Sequence, residues 1–249
     1  DIIFGCAFPE GPQGMLISKG VAILAGLPNS VAGSVVNRFC GSSMDAVHQI
    51  SNKIESGDIQ VGIAGGVEDM FSVPMGGFSP DFNPKLAVQD YYMSMGETAE
   101  ILAVEKTISR QEQEEFSIVS HEKAIQAVRK KRFENEIIPV THYDSKTISK
   151  DEGPRVPDLE KIKSLSPIFN EKGSITAATS SPLSIGASAL LLTSETFAKE
   201  HNLDIRAQII GRSVVGVDWR KMGIGPLPAT KKALKKANIK MSDIDLIEL

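Results

Sequence analysis

The sequence predicts an α/β fold, a layered sheet with helices packed on it, interrupted by an inserted subdomain. Three observations carry this reading. Short apolar runs alternate with amphipathic stretches through residues 1–69. A turn-rich, charged and proline-punctuated middle follows over residues 70–172. From Gly173 the strand-then-helix alternation returns. Strands that alternate with helical patterns indicate a sheet whose connections are helices lying on it.

Taken in order, "DIIFGCA" is an apolar run of strand length, and "MLISKGVAILAGL" has helical spacing and stops at Gly26. "VAGSVVNR" reads as a strand, "SSMDAVHQISNKIESG" as an amphipathic helix stopped by Gly57, and "IQVGIAGG" as a strand. In the middle, "PMGGFSPDFNP" is a cluster of turn residues, followed by the helical stretch "GETAEILAVEKTI". A long charged helix then runs from Arg110 to Lys131, and Ser109 with Glu112 forms the capping box that starts it. "DSKTISKDEGPRVPDLEKIKSLSP" is polar and reads as an excursion over the surface. "GSITAATSSPLSIGASALLLTS" runs into a strand, "SETFAKEHN" is a short helix, and "IRAQIIGRSVVGV" is an apolar run read as another strand. "PATKKALKKANIKMSDIDLIEL" closes as helix then strand. The first and last runs read as buried strands rather than frayed ends, so the sequence reads as a piece of a longer chain, cut inside its sheet.

Composition narrows the function. A net charge of -4, from 27 Lys and Arg against 31 Asp and Glu, argues against a nucleic-acid surface. No apolar run is long enough for a membrane span, and no basic-then-apolar leader is visible. Cys6 and Cys40 are too few for a disulfide framework and make no metal site alone, which points to a reducing compartment.

Cys40 stands where a strand stops and a helix begins, in "VVNRFCGSSMDAV". There a thiol meets free N–H groups and the positive end of the helix dipole, which favour its thiolate. Gly41 lets a ligand approach closely, and the first-turn N–H groups can hold an oxyanion. The other reading of a free cysteine is a small buried apolar residue, and spacing leaves both open. A nucleophile needs a base. His48 lies eight residues along the same helix, roughly 12 Å away at about 1.5 Å per residue. His121 falls on the charged helix, on what reads as a solvated face, and His142 and His201 fall at loops or element ends. None is a partner for Cys40.

The motifs together resemble a known family. "VNRFCGSSMDAV" resembles the nucleophile segment of thiolases, and "AGGVEDMFSVPMGG" resembles the strand and turn that follow it there. "YYMSMGETAE", "DEGPRV", "GSITAATSSPLSIGASA" and "VGVDWRKMGIGPLPATKKAL" match further thiolase blocks in the same order. The resemblance covers essentially the whole chain and is closer to thiolases than to the ketoacyl synthases that share their fold.

The resemblance implies a thiolase-type layered fold, two similar βαβαβαββ halves with an inserted loop domain that carries coenzyme A, and with the second half mostly missing. The expected boundaries are residues 1–69 for the first half, 70–172 for the loop domain, 173–203 for the return to the first half, and 204–249 for the start of the second. The implied activity is thiolytic cleavage of 3-ketoacyl-CoA, or the reverse condensation, through an acyl-cysteine. Coenzyme A is then a substrate, and no tightly bound cofactor or metal is implied. The implied partners are acyl-CoA thioesters and further copies of the chain, as a homodimer or dimer of dimers. A cytoplasmic setting is expected, with mitochondrial matrix and peroxisome left open.

By the same resemblance Cys40 is the nucleophile, with its backbone N–H in an oxyanion hole. Arg155 matches an arginine at the nucleotide end of the cofactor; by itself it reads equally as a solvated loop cation. Phe169 matches an aromatic that packs on pantetheine, and Ala177 and Ser181 match small residues beside it. Met95 and Met222 match methionines of the acyl pocket, although packing alone explains a methionine. The base histidine and a second, acid/base cysteine are expected beyond Leu249. Three departures stand out: Ser166 replaces a basic residue that Lys163 could supply, Ile185 stands where Asp is common, and Ser94 precedes Met95–Gly96 where acetoacetyl-specific members tend to have His. The last favours a broader, degradative enzyme. The missing base and Ile185 motivate the alternative of a non-catalytic thiolase-like protein that binds acyl-CoA or lipid, or serves as a structural partner.

Overall fold

The computed structural model describes all residues, Asp1–Leu249. In chain order they form β1 (Ile2–Gly5), α1 (Ile17–Leu24), β2 (Gly33–Val36), α2 (Ser42–Glu55), β3 (Val61–Asp69), α3 (Pro84–Ala87), α4 (Met95–Glu105), α5 (Arg110–Arg129), β4 (Val140–Thr141), β5 (Thr147–Ile148), α6 (Leu159–Ser164), β6 (Ile185–Thr193), α7 (Glu195–Glu200) and α8 (Pro226–Ala237). Short 3₁₀ turns intervene, among them Ala177–Thr179 and Trp219–Ile224. Two compact units result: Asp1–Phe82 with Leu183–Val214 and Ala229–Leu249, and Asn83–Pro182 with Val215–Pro228. No helix is long and apolar enough to cross a membrane.

The first unit is built on one mixed sheet in the order β2-β1-β3-β6. β1 runs parallel to β2 and to β3, with Ile2 opposite Gly33 and Ile63. β6 runs antiparallel to β3, from Val61 opposite Thr193 to Asp69 opposite Ile185. Strand residues alternate between the two faces, and both faces are covered. Ile2 and Phe4 pack with Ala22 of α1, whereas Ile3 and Ala64 pack with Ala46 and Ile50 of α2. That explains why "IIF" is apolar at every position: a strand buried on both faces has no polar side. Each fully buried Ile contributes on the order of 1.5–3 kcal/mol.

The α2 face of the sheet is paved with small residues. A Cβ on Gly5 would lie 2.7 Å from the Ser42 Cβ and closer still to its backbone, and a Cβ on Gly62 would lie 2.9 Å from Ile50. Gly66 meets Ser43 in the same way. The helix therefore lies low on the sheet, with its N-terminus at the carboxyl ends of β1, β2 and β3. Ligand sites of parallel sheets form at that edge.

Two sequence expectations fail here. "IRAQIIGRSVVGV" and the closing "DIDLIEL", both read as strands, join no ladder, because no strand among the described residues lies beside them to exchange backbone bonds. An apolar run supplies burial, but a strand also needs a neighbour. In the first unit the former is held by side chains instead: Arg212 donates to Ser51, Asn52 and Glu55 of α2, and Ser213 Oγ donates to the Ala229 carbonyl. The predicted first helix also starts late, because Met15 and Leu16 adopt φ of 49° and 60°.

The second unit is helical. α5 carries the predicted capping box, with the Ser109 Oγ accepting from the Glu112 N–H and the Glu112 carboxylate accepting from the Ser109 N–H. Arg110, in its first turn, donates to the Ile162, Lys163 and Leu165 carbonyls and so caps α6. β4 and β5 form a small hairpin.

Candidate functional site

In the first unit, the loop from β2 to α2 carries Cys40. Its conformation is strained: Phe39, immediately before the cysteine, has φ +46°, a region that costs a non-glycine residue about 1–2 kcal/mol. Two side chains impose it. The Asn37 Oδ1 accepts from the Phe39 N–H at 2.8 Å. The Ser42 Oγ accepts from the Arg38 N–H at 2.8 Å and donates to the Phe39 carbonyl at 2.5 Å. The turn is closed by Gly41 N–H to Arg38 and Ser42 N–H to Phe39. Gly41 is then the N-cap of α2. Cys40 thus precedes the helix by one capping residue, with an exposed thiol. The alternative of a buried apolar residue does not describe it. That description fits Cys6, which is 1% exposed and whose thiol burial pushes up to about 11, with Glu68 adding to the shift.

Glu68, at the carboxyl end of β3, organises the neighbouring loop. Its Oε2 accepts from the Ala7 N–H and its Oε1 from the Gln13 side chain, each at 2.6 Å. Gln13 in turn accepts from the Asp69 N–H. Asn37 Nδ2 donates to the Ala7 carbonyl at 2.8 Å. A continuous chain of bonds therefore runs from Glu68 through Ala7 and Asn37 to the residue before the cysteine. The sequence reading missed Asn37, Ser42, Glu68 and Gln13. An Asn two residues before a backbone N–H is a recognisable Asx-turn signal, but the long-range bonds to Glu68 leave no local trace.

His48 is no partner for Cys40. It faces a cavity of about 380 Å³ shared with Asp45, Arg212 and Lys236. Burial holds its imidazole below the ordinary range, opposed by Asp45 and assisted by Arg212, Arg38 and Lys236. His142 pairs with Asp144 at 2.9 Å, and His201 caps the end of α7. His121, on α5, is partly exposed, and its Nδ1 accepts from the Arg155 N–H at 3.3 Å, tying the Arg155 loop to the helix.

The second unit contains Met95, Arg155, Phe169, Ala177, Ser181 and Met222. Met95 opens α4, and the Phe169 ring lies directly on Gly96, the next residue, where any side chain would collide with it. The Ile168 N–H donates to the Ile175 carbonyl, which closes the loop from Phe169 toward Ala177 and Ser181. Phe169 thereby lies beside Met95 at the start of α4, whereas the turn that carries Ala177 is held from α5 by Ser117, which donates to the Ala178 carbonyl. Met95, Phe169, Ala177 and Ser181 are all exposed. Arg155 makes no ion pair within the chain. Met222 belongs to the 3₁₀ segment fixed to the other end of α4 by the ion pair of Lys221 with Glu105 and by Gly223 on Leu102. Met95 and Met222 thus sit toward opposite ends of one helix. Ser94 is the N-cap of α4, in a capping box with Glu97, so its side chain is engaged by the helix. Lys163 pairs with Glu160 at 3.2 Å. Ile185 opens β6 opposite Asp69, with its side chain exposed. No cluster of His, Cys, Asp or Glu side chains is arranged to hold a metal ion.

Against known proteins, residues 1–196 match the family "Thiolase, N-terminal domain" and residues 203–249 match "Thiolase, C-terminal domain". The chain is 45% identical to a 3-ketoacyl-CoA thiolase of Photorhabdus laumondii and 44% identical to one of Shewanella loihica, in each case over 100% of this chain and 66% of the relative. The crystal structure of human mitochondrial 3-ketoacyl-CoA thiolase in complex with CoA superposes with a TM-score of 0.89 at 30% identity, covering 98% of this chain and 66% of that one. The acetyl-CoA acetyltransferase of Bacillus anthracis superposes with a TM-score of 0.87 at 36% identity and the same coverage. The chain therefore spans 66% of the length of these relatives.

Proposed function

This chain belongs to the thiolase family, and from that premise we propose that the full-length protein cleaves a 3-ketoacyl-CoA to acetyl-CoA and a shortened acyl-CoA, or runs the reverse condensation. The observation that carries the reading is an exposed thiol one residue before a helix cap, in a turn held by Asn37 and Ser42.

In this reading the Cys40 sulfur bonds to the 3-keto carbon. The bond between carbons 2 and 3 breaks, its electron pair stays on carbon 2, and that carbon takes a proton and leaves as acetyl-CoA. The shortened acyl group remains as a thioester on Cys40. The sulfur of a second coenzyme A loses its proton, attacks the thioester carbonyl and carries the acyl group away, returning Cys40 as a thiolate. The oxyanion of each step lies against the Cys40 N–H and the positive end of α2. The proton donor and acceptor are the histidine and second cysteine that the family resemblance puts beyond Leu249. Arg155 meets the nucleotide end of coenzyme A, Phe169 packs on pantetheine, and Ala177 and Ser181 leave room for it. Met95 and Met222 border the acyl group. The protein works as a homodimer or dimer of dimers on acyl-CoA thioesters, in fatty-acid β-oxidation, in the cytoplasm.

The test is mass spectrometry of the full-length protein after incubation with a 3-ketoacyl-CoA in the absence of free coenzyme A. The Cys40 peptide is expected to gain one acyl group, and Cys40→Ser to gain none. Bound acyl-CoA with an unmodified Cys40 would instead support the non-catalytic binder.

A further inference from the structure

Glu100 is a buried acid that the proposed reaction does not use. It lies one helical turn after Gly96 on α4, on the face that receives the Phe169 ring, and it is 8% exposed. Its carboxylate is not paired with a cation. Both oxygens accept from the Ser174 N–H, at 3.0 and 2.9 Å; Oε1 also accepts from the Ile175 N–H at 2.8 Å, and Oε2 from the Ser174 hydroxyl at 3.3 Å. A buried carboxylate with several N–H and O–H donors is an anion site filled by the protein's own acid, and such charge-assisted bonds are stronger than neutral ones. The backbone comes close to it: a Cβ on Gly173 would stand 2.8 Å from Oε2 and nearer still to Oε1, so a side chain there would have to push the carboxylate aside.

The clamped residues, Ser174 and Ile175, lie between Phe169 on one side and Ala177 and Ser181 on the other. Two further side chains hold the same stretch from α5: Gln113 donates to the Ser174 Oγ at 2.9 Å, and Ser117 to the Ala178 carbonyl at 2.5 Å. Resting on the proposed function, we infer that Glu100 is a positioning residue for coenzyme A. Its carboxylate fixes the 173–181 loop in the shape that receives pantetheine before the ligand arrives. Pre-ordering a binding loop removes its ordering entropy from the binding step.

Glu100→Gln tests this in the full-length protein, because it keeps size and shape but turns one acceptor oxygen into an NH₂ that faces N–H donors. The Michaelis constant for coenzyme A is expected to rise about tenfold, with kcat at saturating coenzyme A within about twofold and the melting temperature within a few degrees. An unchanged Michaelis constant overturns the inference, and so does a fall in kcat matched by a fall in melting temperature, which marks a purely structural acid. If Glu100→Gln does not fold, Gly173→Ala, which displaces the carboxylate from the turn, is read by the same split. Wild-type protein that neither binds nor turns over coenzyme A defeats the thiolase reading itself, an outcome distinct from a variant that matches an active wild type.

Discussion

Gly66 of β3 faces Ser43 of α2 so closely that the serine hydroxyl occupies the space a Cβ on Gly66 would need. With Gly5 beneath Ser42, this contact sets the height of the helix over the sheet and hence the position of the Cys40 turn. Gly66→Ala should therefore overpack the seat, lowering stability by about 1–3 kcal/mol. Denaturant unfolding would measure that loss, and the alkylation rate of Cys40 should change several-fold with it. A variant as stable and as reactive as the wild type would show that the seat has slack.

Ser42 is 3% exposed and its hydroxyl both accepts and donates within the Cys40 turn. Ser42→Ala leaves the Arg38 N–H and the Phe39 carbonyl without that partner, at a cost of about 1–3 kcal/mol. The strained Phe39 should then relax, and kcat should fall more than the Michaelis constant changes. Steady-state kinetics with a 3-ketoacyl-CoA checks this.

The two thiols should separate cleanly in reactivity. At pH 8 the thiol of Cys6, raised to about 11 and buried, is protonated, so iodoacetamide should label Cys40 alone. Peptide mapping by mass spectrometry decides it. Cys6→Ser should leave acyl-enzyme formation intact, whereas Cys40→Ser should abolish it.

His48 should make stability pH-dependent. Burial lowers its pKa in the folded protein, so the unfolded chain binds the proton more readily and stability rises with pH. The stabilisation is full above the unfolded histidine value of about 6.5 and is lost as pH falls from there through the lower folded value. Melting temperature is expected to decline on acidification below that point. His48→Gln should flatten that part of the profile; an unchanged profile would assign the decline to other groups.

Ala177 and Ser181 have exposed side chains, so a large substituent at either should be tolerated by the fold. Ala177→Trp or Ser181→Trp should raise the Michaelis constant for coenzyme A by about tenfold or more while the melting temperature stays within a few degrees. Unaltered coenzyme A kinetics would remove both residues from the pantetheine path.

The alternation of apolar runs with amphipathic helices made β1, β2, β3 and the helices between them legible, because both kinds of element carry their burial pattern within a few residues. The α5 cap was equally plain, since Ser109 and Glu112 satisfy each other locally. The strands read at 205–217 and 243–249 were not decidable that way. Their apolar character is real, but a ladder depends on what lies alongside.

The site divides along the same line. The sequence by itself determined that a cysteine stands at a strand-to-helix junction, and its motifs determined the family. Only the tertiary structure decided that Asn37 and Ser42 bend Phe39 to a positive φ, that Glu68 braces the neighbouring loop, and that Glu100 holds the turn at Ser174. The reason is physical: a carboxylate that accepts backbone N–H groups more than sixty residues away leaves no periodicity and no spacing to read. Such bonds exist only once the chain has brought both ends together.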